Sequence, residues 1–362
     1  MTSETRQLRL SRPKRLVFGA CAVLLSVGVP LAALLAVDVY LHGRYERAAG
    51  FNIWGYRGPV VKGKRAGEFR VAMFGGSTTY GYGVTWDEAI PARLEQALAA
   101  KAVHPISVVN LAYNNEGAYA DAFTMRDYQY LQYDLAILYS GYNDLPGNPR
   151  APNLAVFRHD SPVFRRTGYL PIFPIVFKEK AAAMTHGGNP ATASTDNAKT
   201  VFRPGLATRT TAQVLTAAAA VEQSLEQQLS RISSERPRRT ADAQVSECKP
   251  AWEQYCASVR TAIEYALGHH QQVVVVTPPY EVGPTLRARH MEQQSEMAKM
   301  VATRFGSDSR VLYVNLGDAV DLNDPTLSFD RMHLAAEGNR RIAAALVAPV
   351  TTMSERRRSV HE

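Results

Sequence analysis

Cysteine is scarce in this chain: three residues among 362, with no Cys-x-x-Cys pair. That scarcity excludes the paired-thiolate zinc sites and dithiol redox motifs that depend on such spacing. The nine histidines likewise show no metal-ligand spacing, so neither a metal nor another cofactor is expected. Internal repeats and heptad runs are missing too, which removes solenoids and coiled coils from consideration. Charge is unbalanced at +8, with 41 Lys and Arg against 33 Asp and Glu. Much of the excess lies in the two termini, and no stripe interleaves basic with aromatic residues, so no nucleic-acid partner is expected. What remains is a chain that is 46% apolar and long enough for one large domain or two small ones.

Charge is also absent from Leu16 to Val37, a mostly apolar run. About 20 residues at 1.5 Å rise cross a bilayer core of about 30 Å, so the run is long enough to span. Arg6, Arg9, Arg12, Lys14 and Arg15 precede it, whereas Arg44 and Arg47 beyond it are offset by Asp38 and Glu46. The positive-inside rule then keeps residues 1–15 in the cytoplasm, makes 16–37 a transmembrane anchor, and exports the rest. A cleaved signal peptide is the competing reading. It would have a shorter apolar core followed by a small-x-small site; here the run passes into Val39-Tyr-Leu-His42 without one. Cys21 within the run reads as an apolar filler. Cys248 and Cys256 fall in the exported part, where an oxidising compartment permits a bridge. A disulfide and two separate thiols fit the sequence equally well.

Residues 38–69 read as a linker and lead-in, with scattered Gly, Pro, Lys and Arg. Within them, Asn52-Ile-Trp-Gly-Tyr-Arg-Gly58 is richer than a spacer needs and is expected to pack on the domain or frame a site. From residue 70 apolar runs alternate with helical spacing. Strands are expected at Arg70–Phe74, Ile106–Asn110, Leu135–Tyr139, Gln272–Val276 and Val311–Leu316. Helices are expected at Glu88–Ala100, within 117–133, and at Thr210–Ile232, Trp252–Leu267, His290–Phe305 and Ala335–Ala348. Continuously apolar strands alternating with helices predict an α/β fold with a parallel sheet covered on both faces. The domain is placed at 70–350. A Pro- and Gly-rich excursion at 145–209, with Phe157, Phe164, Tyr169, Phe173 and Phe177, is expected to form a substrate-facing cap or a mobile loop. Residues 351–362, polar and basic, are expected to be a disordered tail.

The polar residues that punctuate this pattern sit at strand ends. The first strand leads into Gly75-Gly76-Ser77, the second into Asn110 and then Gly117, and the third into Gly141-Tyr-Asn143; Asp330-Arg-Met-His333 precedes the last helix. In a parallel sheet these segments share the carboxyl edge, where such folds bind ligands. Serine, histidine and carboxylate form an acyl-transfer set. The Asn143 amide and the backbone N–H groups of Ser77 and Gly117 can hold an oxyanion.

In these four blocks the sequence resembles the SGNH/GDSL hydrolase superfamily, as a membrane-anchored bacterial member. The resemblance implies a three-layer α/β/α sandwich with a flavodoxin-like parallel sheet, preceded here by one transmembrane helix. It assigns Ser77 as nucleophile, His333 and Asp330 as base and acid, and Ser77, Gly117 and Asn143 as the oxyanion hole. Two departures stand out. Gly76 replaces the usual aspartate beside the serine, and the Asn110–Gly117 block is long, so that Ala112 and Asn114 compete with Gly117 as N–H donors. The implied activity is hydrolysis of an acyl ester, such as acetyl, on a cell-envelope glycan or lipid. Acetyl transfer to an envelope polysaccharide and a non-catalytic glycan-binding role are the alternatives. The sequence sets no oligomeric state.

Overall fold

The computed structural model describes residues 12–45, 51–100, 104–114, 116–145, 161–173 and 248–359. Five strands, β1 (Phe69–Gly75), β2 (Ile106–Asn110), β3 (Leu135–Tyr139), β4 (Gln272–Thr277) and β5 (Val311–Asn315), form one sheet in the order β2-β1-β3-β4-β5, every pair parallel. This is the flavodoxin-like doubly wound order, whose crossover lies between β1 and β3. The side chains of β1 explain why both faces are covered. Ala72 and Phe74 point into one core, with the helices α4 (Asp121–Asp127), α6 (Glu253–Gly268) and α7 (Pro284–Phe305) over it. Phe69, Val71 and Met73 point into the other, under α3 (Ile90–Ala99) and α8 (Ala336–Ser359). Two short helices complete the set: α2 (Ser77–Tyr80) directly after β1, and α5 (Pro162–Thr167). The result is the three-layer sandwich expected above.

Ahead of it runs α1 (Arg12–Tyr45). Within it Val17–Gly43, 27 residues or about 40 Å at helical rise, is long and apolar enough to cross a membrane. Leu24, Leu25, Val29, Leu31 and Leu35 are all exposed; an apolar helix bare on all sides fits lipid rather than water. Its last two turns behave differently. Asp38 and His42 are buried. Asp38 Oδ1 accepts from the Ile172 and Phe173 N–H groups at 2.9 and 2.5 Å, and its other oxygen accepts from the Tyr169 hydroxyl. The His42 ring nitrogens bond the Phe51 and Leu170 carbonyl oxygens at 2.7 and 2.8 Å. Residues 161–173 therefore strap the helix end to the domain. Phe164 packs on Tyr128, and Tyr169 on His42. These two aromatic residues of the excursion turn inward instead of facing substrate, because the helix end supplies both an apolar surface and a carboxylate. Phe157, Phe177 and the helix expected at 210–232 lie outside the described residues.

Cys248 and Cys256 are joined in a disulfide where the chain re-enters the domain. At the other end, the tail expected to be disordered from Thr351 instead continues α8 to Ser359. Val350 and Met353 are buried in the second core. The basic residues that suggested a solvated tail are engaged: Arg357 pairs with the buried Asp134 at 3.1 Å and donates to the His270 carbonyl at 2.9 Å. If this last stretch is packed, Met353→Ala should destabilise the detergent-solubilised protein by about 2–5 kcal/mol, as for other buried large-to-small changes. Denaturant unfolding reads this directly, and a free tail would give no change.

Candidate active site

The first three blocks follow the ends of β1, β2 and β3. Gly75, at φ +150°, ends β1, and Ser77 opens α2, where the first N–H groups of a helix have no partner within it. Gly76 between them is extended, and it is glycine for lack of space. A Cβ there would lie 2.4 Å from Asn143 Nδ2 and 2.7 Å from the Glu116 carbonyl oxygen. The departure from Gly-Asp-Ser is thus the mark of a close approach between the first, second and third blocks.

From the far side, residues 326–335 fold back before α8. Asp330 Oδ1 accepts from the backbone N–H groups of Met332 at 3.0 Å and His333 at 2.6 Å. Its second oxygen, Oδ2, lies 2.6 Å from His333 Nδ1, and His333 Nε2 lies 2.8 Å from Ser77 Oγ. A carboxylate only accepts, so Nδ1 carries the proton and donates to Asp330. That leaves Nε2 of the neutral ring to accept from the Ser77 hydroxyl. Burial alone would raise the Asp330 carboxyl, but the bond from the His333 ring, with the two backbone donors, outweighs it and holds the group below its ordinary value. Phe329 stacks parallel to the imidazole at 5.9 Å, and the Tyr82 ring lies 4.9 Å from it.

Asn143 follows β3 in a single 3-10 turn, Tyr142–Asp144. One of its two amide N–H groups donates to the Glu116 carbonyl at 2.7 Å; an amide has a second to offer. This bond sets Asn143 against the Glu116–Gly117 peptide. Gly117 is also tightly fitted, since a Cβ there would lie 2.5 Å from Asp144 Oδ1. The rival donor Ala112 gives its N–H to the Asn110 side chain at 3.2 Å, and the Gly117 N–H meets the Tyr119 hydroxyl. The structure therefore brings together all five residues singled out by sequence: Ser77, Gly117, Asn143, Asp330 and His333.

Several neighbours escaped the sequence reading. Glu281, just past β4, is buried, and burial pushes its carboxyl up to about 7; the Val282 N–H pulls it down, Asp330 adds to the rise, and His333 opposes it. Its own N–H donates to the buried His290 Nδ1 at 3.1 Å. Gln293 and Gln294 of α7 lie beneath the third block: Gln293 Nε2 donates to the Gly141 carbonyl at 3.2 Å, and Gln294 Nε2 donates to the Tyr255 hydroxyl, which donates to the Ser140 carbonyl, each at 3.1 Å. The available signal was periodicity. His290, Gln293 and Gln294 occupy the helix face that Met297 and Val301 continue, and polar residues on an apolar face need partners. Beyond β4 and β5, on the same edge, a cavity of about 300 Å³ is lined by Tyr280, Arg287, Asp318 and Asn323 among others.

A family model described as GDSL-like Lipase/Acylhydrolase matches residues 73–341. No curated protein matches the chain. Among solved structures, it is similar to LAE5, an alpha/beta hydrolase enzyme from the metagenome of Lake Arreo, Spain, at 15% identity over 79% of this chain and 96% of that one, with a TM-score of 0.43. It is also similar to Est24, a carbohydrate acetylesterase from Sinorhizobium meliloti, at 11% identity over 79% and 99%, TM-score 0.39. A third is a catalytic mutant of Axe2, an acetylxylan esterase from Geobacillus stearothermophilus, at 12% identity over 80% and 95%, TM-score 0.40.

Two outcomes follow from this geometry. Restoring the more usual aspartate with Gly76→Asp should lower turnover at least about tenfold, because the new side chain displaces Asn143 from a position where an oxyanion donor is worth about 3 kcal/mol. Initial rates on p-nitrophenyl acetate measure it, and unchanged turnover would show the site has room. Asp144, whose carboxyl burial raises to about 7 against the pull of the Ala118 N–H, is protonated in the folded protein at pH values where the unfolded chain has already lost that proton. Its contribution to stability is then present below about pH 4 and lost as pH rises to about 7. Asp144→Asn should remove that part of the slope, so that thermal midpoints of variant and parent diverge in the variant's favour between about pH 4 and pH 7.

Proposed function

The chain belongs to the GDSL-like lipase/acylhydrolase family and is an esterase of that type, and on that premise we propose that Ser77 attacks acyl esters, acetyl esters foremost, on a glycan or lipid of the cell envelope. The observation that carries the reading is the continuous line from Asp330 through the His333 ring to Ser77 Oγ, with bonds of 2.6 and 2.8 Å. As the Ser77 oxygen bonds to the ester carbonyl carbon, its proton passes to His333 Nε2, and the Asp330 carboxylate steadies the resulting imidazolium. The carbonyl oxygen, now negative, is met by the N–H groups of Ser77 and Gly117 and the free N–H of Asn143. The tetrahedral carbon then expels the alkoxide, which takes the proton from His333, and Ser77 is left acylated. Water then attacks the acyl carbon and gives its proton to the same nitrogen; the bond to the Ser77 oxygen breaks, Ser77 takes that proton back, and the acid leaves. If a sugar hydroxyl takes the place of water, the same residues carry out acetyl transfer.

The envelope side of the reading is supported by α1, which we take as a retained inner-membrane anchor with the domain exported. The glycan side is supported by the cavity beyond β4, where an aromatic ring, an amide and charged groups suit sugar hydroxyls.

Purified protein should release nitrophenol from p-nitrophenyl acetate, and Ser77→Ala and His333→Ala should each reduce release at least about a thousandfold. Labelling by a fluorophosphonate should require both residues. Activity surviving in Ser77→Ala would overturn the assignment. With an acetylated donor and a glycan acceptor, free acetate as the product identifies the hydrolase and acetylated glycan the transferase.

A further inference from the structure

The Asn52–Gly58 motif, richer than a spacer needs, has its reason in one side chain. Asn52 ties it into a compact turn. Its N–H donates to the Tyr56 carbonyl, its amide donates to the Gly58 carbonyl, and its Oδ1 accepts from the Trp54 N–H, all at 2.9–3.0 Å. Gly55 and Gly58 supply the positive φ angles of +72° and +97° that the turn requires. Arg57 then bridges to Asn110 at the end of β2, its N–H donating to the Asn110 carbonyl at 3.2 Å.

The Arg57 guanidinium is only 3% exposed. It lies over the Tyr80 ring at 4.3 Å. Its N–H groups donate to the carbonyl oxygens of Tyr80, of Gly81 at 2.6 Å and of Val84 at 2.5 Å. These carbonyls end α2 and cross the loop after it. The Asn110 amide adds donors to the Thr79 and Tyr80 carbonyls at 3.3 and 3.2 Å. Both ends of the clamped segment touch the site. Ser77 begins it, and within it Tyr82, between two glycines at φ +84°, lies against the His333 ring. Gly83 is packed so closely on Phe329 that a Cβ would lie 2.4 Å from that ring. Burying a cation is costly, and a rigid fork reaching three carbonyls is something arginine does and lysine does not.

We propose that Arg57 is a positioning residue for the esterase reaction: by fixing the Ser77–Val84 segment it sets the nucleophile and the aromatic wall of the base at their working separation. This rests on Ser77 being the nucleophile, and the test separates the two. Arg57→Lys keeps the charge and loses the fork. On p-nitrophenyl acetate, in full-length detergent-solubilised protein whose thermal midpoint stays within a few degrees of the parent, kcat should fall about 10- to 100-fold with KM within about threefold. Fluorophosphonate labelling should slow by the same factor. Tyr82→Leu, with Arg57 intact, should also lower kcat at constant KM, and the double variant should be no slower than the slower single one, since both act through one segment. Parental kcat in folded Arg57→Lys, or in Tyr82→Leu, would overturn the proposal, as would losses that multiply in the double variant. If Ser77→Ala is inactive while Arg57→Lys is fully active, only this inference fails. If Ser77→Ala remains active, the nucleophile assignment fails with it.

Discussion

The hydrogen bond between Ser77 and His333 joins residues 256 positions apart, and most of the domain can be understood as what it takes to hold that bond. A serine hydroxyl and an imidazole gain little from meeting; a net contribution of about 1 kcal/mol is usual for such a bond. Their placement has to be imposed by elements with far more at stake. On one side this is β1, whose residues Val71 to Phe74 are completely buried between two cores. On the other it is α8, which lies in the second core alongside α3. The short 326–335 segment only has to cross from that core to the rim. It is pinned at both ends by Ser328 and Leu334 pairing across it and by Asp330 gathering two backbone N–H groups. The aspartate that orients the imidazole is therefore also what folds its own loop, so the tautomer and the backbone geometry are fixed by one carboxylate.

The Asn143 side of the site is held by a different kind of force. The Gly141–Asp144 turn rests on a buried polar layer of Gln293, Gln294, Thr277, Tyr255, Ser140 and Asp121. Such layers cost desolvation energy and repay it only when nearly every donor and acceptor is matched. What they provide in return is direction: Gln293 fixes the Gly141 carbonyl, and a side chain at 141 would collide with Gln294 at 2.4 Å. Asp121, fully enclosed and bonded by the Ser140 hydroxyl, is pushed far toward its neutral form by burial.

The sequence was most readable where one physical rule acted alone. Uninterrupted apolar runs gave the strands and the parallel sheet, and strand-end punctuation gave Ser77, Asn143, Asp330 and His333. Reading failed where composition and context pulled apart. The basic tail looked solvated because Arg356 to Arg358 are charged, yet Arg357 is drawn to Asp134, a buried carboxylate at the opposite edge of the sheet from the site. Gly76 stood out only as a departure because the reason for it, contact with Glu116 and Asn143, lies 40 and 67 residues away. Glu281 carried no local pattern and the two glutamines only their helical spacing, since each is defined by what packs over it. Arg57 was noticed as part of a motif, but its carbonyl partners lie 23 to 27 residues further along the chain.

That dependence has a consequence for the whole molecule. The turn presenting Arg57 begins at Phe51, whose carbonyl is bonded by the His42 ring, and includes Trp54, whose carbonyl accepts from the Tyr128 hydroxyl. His42 and Asp38 belong to the last turns of α1. The helix thus does not end in a free tether, because these two side chains are buried against residues 161–173 and Phe51. With α1 retained in the membrane as proposed, the distance from bilayer to serine is set by packed protein. Flexible linkers let a domain sample a range of heights that grows with the square root of their length, whereas a docked helix allows one. An esterase built this way would meet substrates that present their esters at a fixed distance from the membrane surface, and the same short segment that carries the anchor's contacts also carries Arg57, the residue proposed to position Ser77.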